Sequence, residues 1–157
     1  MEYKDSKLTK IDLFEFVKEN FYIMENVLIE NCIINDLIIP YQFEGSVIIR
    51  SSLITNLNAH GGYFKKGVTI SNCIFENLIT FEAGGHNDLG EIDISNNIFN
   101  CFVDFFDAHF TNKFIFTNNI LTKGSNLLGN AGLPIETLFR GIPEIENNLG
   151  ELTFRDI

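Results

Sequence analysis

The feature that most constrains this chain is an internal repeat. Five segments align without gaps: VLIENCII at 27–34, VIIRSSLI at 47–54, VTISNCIF at 68–75, IDISNNIF at 92–99 and FIFTNNIL at 114–121. A decayed sixth copy, PEIENNLG, occupies 143–150, and the start-to-start steps are 20, 21, 24, 22 and 29 residues. A repeat of this length is one supersecondary unit that cannot bury its apolar face alone, so the copies must stack on one another.

The columns of the alignment say how. The first holds Val27, Val47, Val68, Ile92 and Phe114, and the third holds Ile29, Ile49, Ile70, Ile94 and Phe116. Between them the residue varies: Leu28, Ile48, Thr69, Asp93, Ile115. A constant apolar face alternating with a variable one is the period-two signature of a strand. The fifth column is Asn31, Ser51, Asn72, Asn96, Asn118 and Asn147. Asparagine tolerates the left-handed backbone of a bend. Recurring at one place, its amides can also bond to the copies above and below as a ladder. The sixth column is Cys32, Ser52, Cys73, Asn97, Asn119 and Asn148, and an apolar pair such as Ile74-Phe75 or Ile98-Phe99 closes the block. A further apolar patch follows each copy, as in NLITFEAG at 77–84 and CFVDFFDAHF at 101–110, so a coil contains two or three short strands. Val68, Ile70, Phe75, Ile92, Ile94, Phe99, Phe114 and Phe116 are expected to point inward.

IDISNNIF and VTISNCIF resemble the repeat of right-handed parallel β-helix proteins, in which an aliphatic residue precedes an asparagine ladder position. A weaker resemblance is to pentapeptide-repeat proteins: Ile29, Ile34 and Ile39, then Ile70 and Phe75, fall five apart, with Cys32 and Cys73 two places before. Steps of 21, 22, 24 and 29 depart from the uniform 20 that four pentapeptides impose, and Thr80 and Asp104 interrupt the apolar column. The resemblance implies an all-β solenoid, a right-handed parallel β-helix of about six coils. Such repeats are specific for fold and poor guides to function.

An open solenoid end exposes strand edges and needs a cap. TKIDLFEFVKEN at 9–20 has Thr9 and Asp12 at capping-box spacing, with Ile11, Phe14 and Val17 every three residues. This pattern predicts an N-terminal α-helical cap. At the other end, LTKGSNLLGNAGLPIETLFRGIP at 121–143 reads as a loop with a short helix in PIETLF, either a second cap or a binding loop. The expectation is a single domain over 1–157: a cap at 1–25, regular coils at 26–121, and an insertion with a degenerate last coil at 122–157.

Charge bounds the partners. Eleven Lys and Arg against 21 Asp and Glu give a formal net charge of −10, which a nucleic-acid duplex or an anionic membrane surface would repel. A basic protein partner fits; acidity that only maintains solubility fits as well. MEYKDSKLTKID has no apolar stretch behind its charges, so no signal peptide is expected, and no run of about 18 apolar residues suggests a membrane span. Cys32, Cys73 and Cys101 lack framework spacing and read as free thiols of a cytoplasmic protein.

Little in the sequence suggests chemistry. His86 and His109 fall 14 and 13 residues after the asparagines of their copies, which can stack them near Asp88 and Asp107. Two His and two carboxylates are metal-ligand types, but the spacing matches no tight motif and no metal is expected. Asp93, Asp104 and Asp107 are the neighbouring carboxylates available for hydrolase or lyase chemistry. Arg50, Arg140 and Arg155 are scattered. No catalytic residue and no cofactor are assigned, and the chain is not expected to be an enzyme.

What remains is a cytoplasmic protein-binding module with a basic protein partner, of the kind represented by immunity-type inhibitors of bacterial toxins. One alternative, which the pentapeptide resemblance implies, is a DNA-mimicking protein that binds topoisomerases. Another is a small carbohydrate-active β-helix enzyme; a structural module joined end to end is a third. The expected contact surface combines the second-half bends with the insertion: Glu82, Asp88, Asp104, Asp107 and His109, with Glu136 and Arg140. Oligomeric state is left open.

Overall fold

The computed structural model describes residues 1–17, 22–39, 42–130 and 132–154. The repeats fold as strands that pair in parallel with the next copy, register for register. One seven-stranded sheet stacks Glu2–Lys4, Val27–Glu30, Val47–Arg50, Val68–Ser71, Ile92–Ser95, Phe114–Thr117 and Glu144–Glu146. A second long sheet stacks Lys7–Asp12, Ile33–Ile38, Leu53–Asn58, Ile74–Thr80, Ile98–Phe99 and Ile120–Leu121, with Val103–Asp104 also beside Ile74–Thr80. A third, less regular side carries the pairs Gln42–Phe43 with Tyr63–Phe64 and His109–Phe110 with Leu138–Phe139. The result is an all-β parallel solenoid of about five turns. Seven strands at ~4.8 Å spacing give the first sheet a length of about 29 Å.

The inward columns stand where the alternation puts them. Val68, Ile70, Phe75, Ile92, Ile94, Phe99, Phe114 and Phe116 are all buried, as are Ile29, Ile34 and Ile39. Phenylalanines stack between levels, Phe75 on Phe99 at 5.2 Å and Phe81 on Phe105 at 5.3 Å between ring centroids. Such offset stacks add to burial what isolated rings would not.

The two polar columns divide the labour expected of one. The fifth column makes the bend: Asn31, Ser51, Asn72, Asn96, Asn118 and Asn147 all adopt positive φ, between 51° and 61°, and all are exposed. The buried ladder is the sixth column. Asn119 Oδ1 accepts from Asn97 N at 3.0 Å, Asn148 Oδ1 accepts from Asn119 N at 3.0 Å, and Asn97 Oδ1 accepts from Cys73 N at 2.9 Å. Ser52 Oγ does the same for Cys32 N at 3.0 Å. A backbone N–H turned inward by the bend needs an acceptor, and the short side chain of the next coil supplies it. Close stacking also fixes some glycines: a Cβ on Gly67, at φ +87°, would lie 2.1 Å from the Glu91 carbonyl oxygen.

Three expectations are corrected. No α-helix occurs among the described residues, and the N-terminal cap is not one. Lys7–Asp12 is a strand paired with Ile33–Ile38, followed by a 3-10 turn at Leu13–Phe16. Residues 18–20 of the expected helix lie outside the described residues. EYKDSKLT is a degenerate repeat copy: Tyr3 aligns with Ile29, Leu8 with Ile34, and Asp5 takes the left-handed bend at φ 48°. Asp12, expected within a capping box, accepts from Phe14 N at 3.1 Å and caps the short turn alone. The sheet edge decided this, since pairing satisfies a whole strand of backbone groups where an isolated helix of this length is marginal. The count of six coils also fails. The sixth copy adds Glu144–Glu146 and an isolated bridge from Leu149 to Ile120, without closing a further turn. PIETLF likewise forms no helix; Leu138–Phe139 pairs with His109–Phe110 instead.

Candidate functional site

An open cleft of about 530 Å³ lies on the outside of the second long sheet, near its C-terminal end. Its apolar walls are Leu78, Phe102, Phe106, Leu133 and Phe154. Leu78 ends up outward because the register shifts between Phe75 and Leu78, an extra residue that turns the strand's alternation. Phe102 follows the bend after the fourth repeat, and Phe154 meets it edge-on at 5.6 Å. Leu133 arrives from the insertion, which Asn130 Nδ2 pins by donating to the Ile135 carbonyl at 2.8 Å.

The polar lining is Asn77, Glu82, Asp104, Asn126 and Asn130, with no Lys or Arg among the described residues. Asp104 is fastened to the fold: its Oδ1 accepts from Phe106 N at 3.0 Å and from Asn126 Nδ2 at 2.8 Å, and Thr80 Oγ1 donates to Oδ2 at 3.4 Å. It repeats a device of the coils below, where Asn58 Oδ1 accepts from His60 N and Thr80 Oγ1 from Glu82 N, each two residues on. Thr80 and Asp104, which interrupt the apolar column, are thus the residues that make this second bend. Glu82 is half-buried and faces His60 Nδ1 at 3.4 Å.

Asp88 and His109 lie elsewhere, on the third side. Tyr63, His86 and His109 stack on successive levels, with ring centroids 5.5 Å and 5.1 Å apart. Asp88 accepts from the Tyr63 hydroxyl and from Thr111 Oγ1, the latter at 2.8 Å. The hydrogen bond to Asp88, with burial, raises the Tyr63 phenol to about 12, and the same bond draws the Asp88 carboxyl below its ordinary range. Burial and the neighbouring His109 lower His86. Behind them the buried Asn87 ties two loops together: its Oδ1 accepts from Thr111 N and Asn112 N, and its Nδ2 donates to the Gly90 and Lys113 carbonyls.

The seven expected contact residues therefore divide. Glu82 and Asp104 share the cleft; Asp88 and His109 belong to the third-side stack, with Arg140 close enough to act on Asp88 and His86. Asp107 is an exposed left-handed bend residue at φ 55°, and Glu136 is exposed in the insertion. His86 and His109 do come together, but Asp88 turns to Tyr63 and Thr111, and no group of three or more potential metal ligands occurs among the described residues. Asp93, accepting from Ser95 Oγ, stands on the other long sheet from Asp104. The three thiols are free and buried, and burial raises Cys73 and Cys101 to about 11. No helix is long and apolar enough to cross a membrane among the described residues.

Sequence reading missed Leu78, Phe102 and Phe154 as surface residues because they lie in apolar patches that otherwise face inward. For Leu78 the signal was the extra residue before it, where Glu76-Asn77 stands against the single Thr55 of the preceding coil. Compared with known proteins, the chain matches no family model, no curated protein and no solved structure.

Proposed function

We propose that the chain is a non-catalytic module that binds a basic protein, and that the cleft is where it does so. The cleft carries this reading: five apolar side chains on a rigid stacked frame form a concave surface, with Glu82 and Asp104 in its lining and no cation there among the described residues. Apolar pockets ringed by polar groups are where binding energy concentrates. The complementary ligand is an aromatic or aliphatic anchor flanked by Lys or Arg, and the formal net charge of −10 speeds its approach. In its finer form the proposal is a cytoplasmic immunity-type inhibitor that occludes a bacterial toxin stoichiometrically.

DNA mimicry is less well supported, because it requires acids repeated at each level. The outward row of the first long sheet runs Glu2, Leu28, Ile48, Thr69, Asp93, Ile115, Glu144, with acids at the ends and one in between.

The test begins with co-purification from the native host and identification of the bound protein, followed by calorimetric titration. One-to-one binding is expected, weakened about 30-fold or more by Leu78→Asp or Phe102→Asp, as for a contact worth about 2 kcal/mol. Binding unchanged in both variants would remove the cleft from the proposal, and turnover of a small substrate would overturn the non-catalytic reading.

A further inference from the structure

The second long sheet carries an aliphatic row on its outside. Strand pairing sets Ile33, Leu53, Ile74, Ile98 and Ile120 opposite one another on successive levels, and the isolated bridge adds Leu149. Each precedes an inward residue such as Ile34, Phe75 or Phe99, so strand alternation turns it outward. Ile33 is 45% exposed, Ile74 38%, Ile98 37%, Ile120 42% and Leu149 66%. Nothing in the coil requires an aliphatic residue there, since a sheet with one solvated face needs apolar residues only on the other. The second outward row of the same strands is indeed polar: Asn35, Thr55, Glu76, Asn100 and Thr122.

The surroundings are as distinctive as the row. On its other side stand the exposed left-handed residues Asn31, Ser51, Asn72, Asn96, Asn118 and Asn147. Over the five levels from Ile33 to Ile120 Glu76 is the sole charge in these three columns, and it accepts from Asn100 Nδ2 at 3.2 Å. Lys7, opposite Ile33, and the left-handed Asp5 stand at the N-terminal end of the columns, and Glu151 follows Leu149 at the other. Between those ends the face is nearly neutral, on a chain of formal net charge −10.

We propose that this face is where two copies of the chain meet. Two considerations favour a second copy. Molecules of the same strong negative charge can approach closely only where that charge is sparse, whereas a basic partner is recognised by clustered acids, of which the middle of this face carries Glu76 alone. A row with a uniform ~4.8 Å spacing is also complementary to itself. Turned by a two-fold axis, its side chains enter the gaps of an identical row, giving an isologous contact. Six levels by five residues make a footprint of about 24 Å by about 13 Å, roughly 300 Å² per copy. Stable complexes bury about 800 Å² per partner, so the dimer is weak and reversible.

Sedimentation equilibrium of the full chain tests this over micromolar to millimolar concentrations. The weight-average mass rises from 17.9 kDa towards twice that value with concentration. Added salt strengthens the association by screening the like charges, the opposite of its effect on binding a basic protein at the cleft. Ile74→Lys with Ile98→Lys holds the mass at 17.9 kDa with an unchanged circular dichroism spectrum. Ile74→Thr with Ile98→Thr, which keeps β-branching, does the same if the lysines disturb folding. A wild-type mass fixed at 17.9 kDa across the range, or threonine variants that associate as the wild type does, would overturn the proposal.

Discussion

Replacing Asn119 by alanine tests whether the buried amide ladder holds the coils together. Asn119 is fully buried, and both ends of its amide are engaged. Its Oδ1 accepts from Asn97 N at 3.0 Å and from Asn97 Nδ2 at 3.2 Å; its Nδ2 donates to the Ile94 carbonyl at 2.9 Å and to Asn148 Oδ1 at 3.1 Å. Asn97 Nδ2 keeps a second partner, the Ile70 carbonyl at 3.0 Å, so its loss is minor. Truncation removes the side-chain partners of the Asn97 N–H and the Ile94 carbonyl. Each buried group left unpaired costs about 1–3 kcal/mol, so Asn119→Ala is expected to destabilise by about 3–5 kcal/mol. The column supplies its own control. Ser52 satisfies Cys32 N with a hydroxyl, so Asn119→Ser keeps the acceptor for Asn97 N and should cost about half as much. Urea unfolding followed by circular dichroism reads both: at about 2 kcal/mol/M the alanine midpoint falls by about 2 M and the serine midpoint by about 1 M. A serine variant as unstable as the alanine variant, or an alanine variant within about 0.5 kcal/mol of the wild type, refutes the ladder as a source of cohesion.

Phe99→Ala, which removes a ring stacked between Phe75 and Phe116, should cost about 3–5 kcal/mol by the same assay. Asp104→Lys should destabilise by about 1–3 kcal/mol because Phe106 N and Asn126 Nδ2 lose their acceptor, while the exposed Asp107→Asn leaves stability within about 0.5 kcal/mol. In a spectroscopic tyrosine titration, one phenol should titrate near 12 and vanish in Tyr63→Phe. Since the folded-state value lies above the unfolded 10.0, the Tyr63–Asp88 contribution to stability is complete below pH 10 and is lost as pH rises towards 12. A chelator should leave the melting temperature unchanged; a fall that zinc or calcium reverses would point back to His86, His109, Asp88 and Asp107.

The sequence by itself determined the interior of each coil. Residues two apart on a strand share a face, so Val68 and Ile70, or Ile92 and Ile94, announce an inner wall without knowledge of any partner. The recurring Asn column announces the bend for the same local reason, since left-handed backbone is a property of one residue. The outward aliphatic row was legible too, because a pair such as Ile74-Phe75 cannot have both members inside. What needed the tertiary structure was every question settled between coils. Ile11, Phe14 and Val17 fit a helix as well as their neighbours fit a strand, and only the open edge of Ile33–Ile38 decided for the strand. Columns five and six are both short and polar; stacking alone chose which is buried, by leaving the N–H groups of Cys73, Asn97 and Asn119 in need of acceptors one level away. The cleft is the extreme case. Leu78, Phe102, Leu133 and Phe154 are each separated by 20 residues or more and meet because one register shift and one insertion offset the stacked levels. Local alternation has no means of encoding how far a neighbouring coil is displaced.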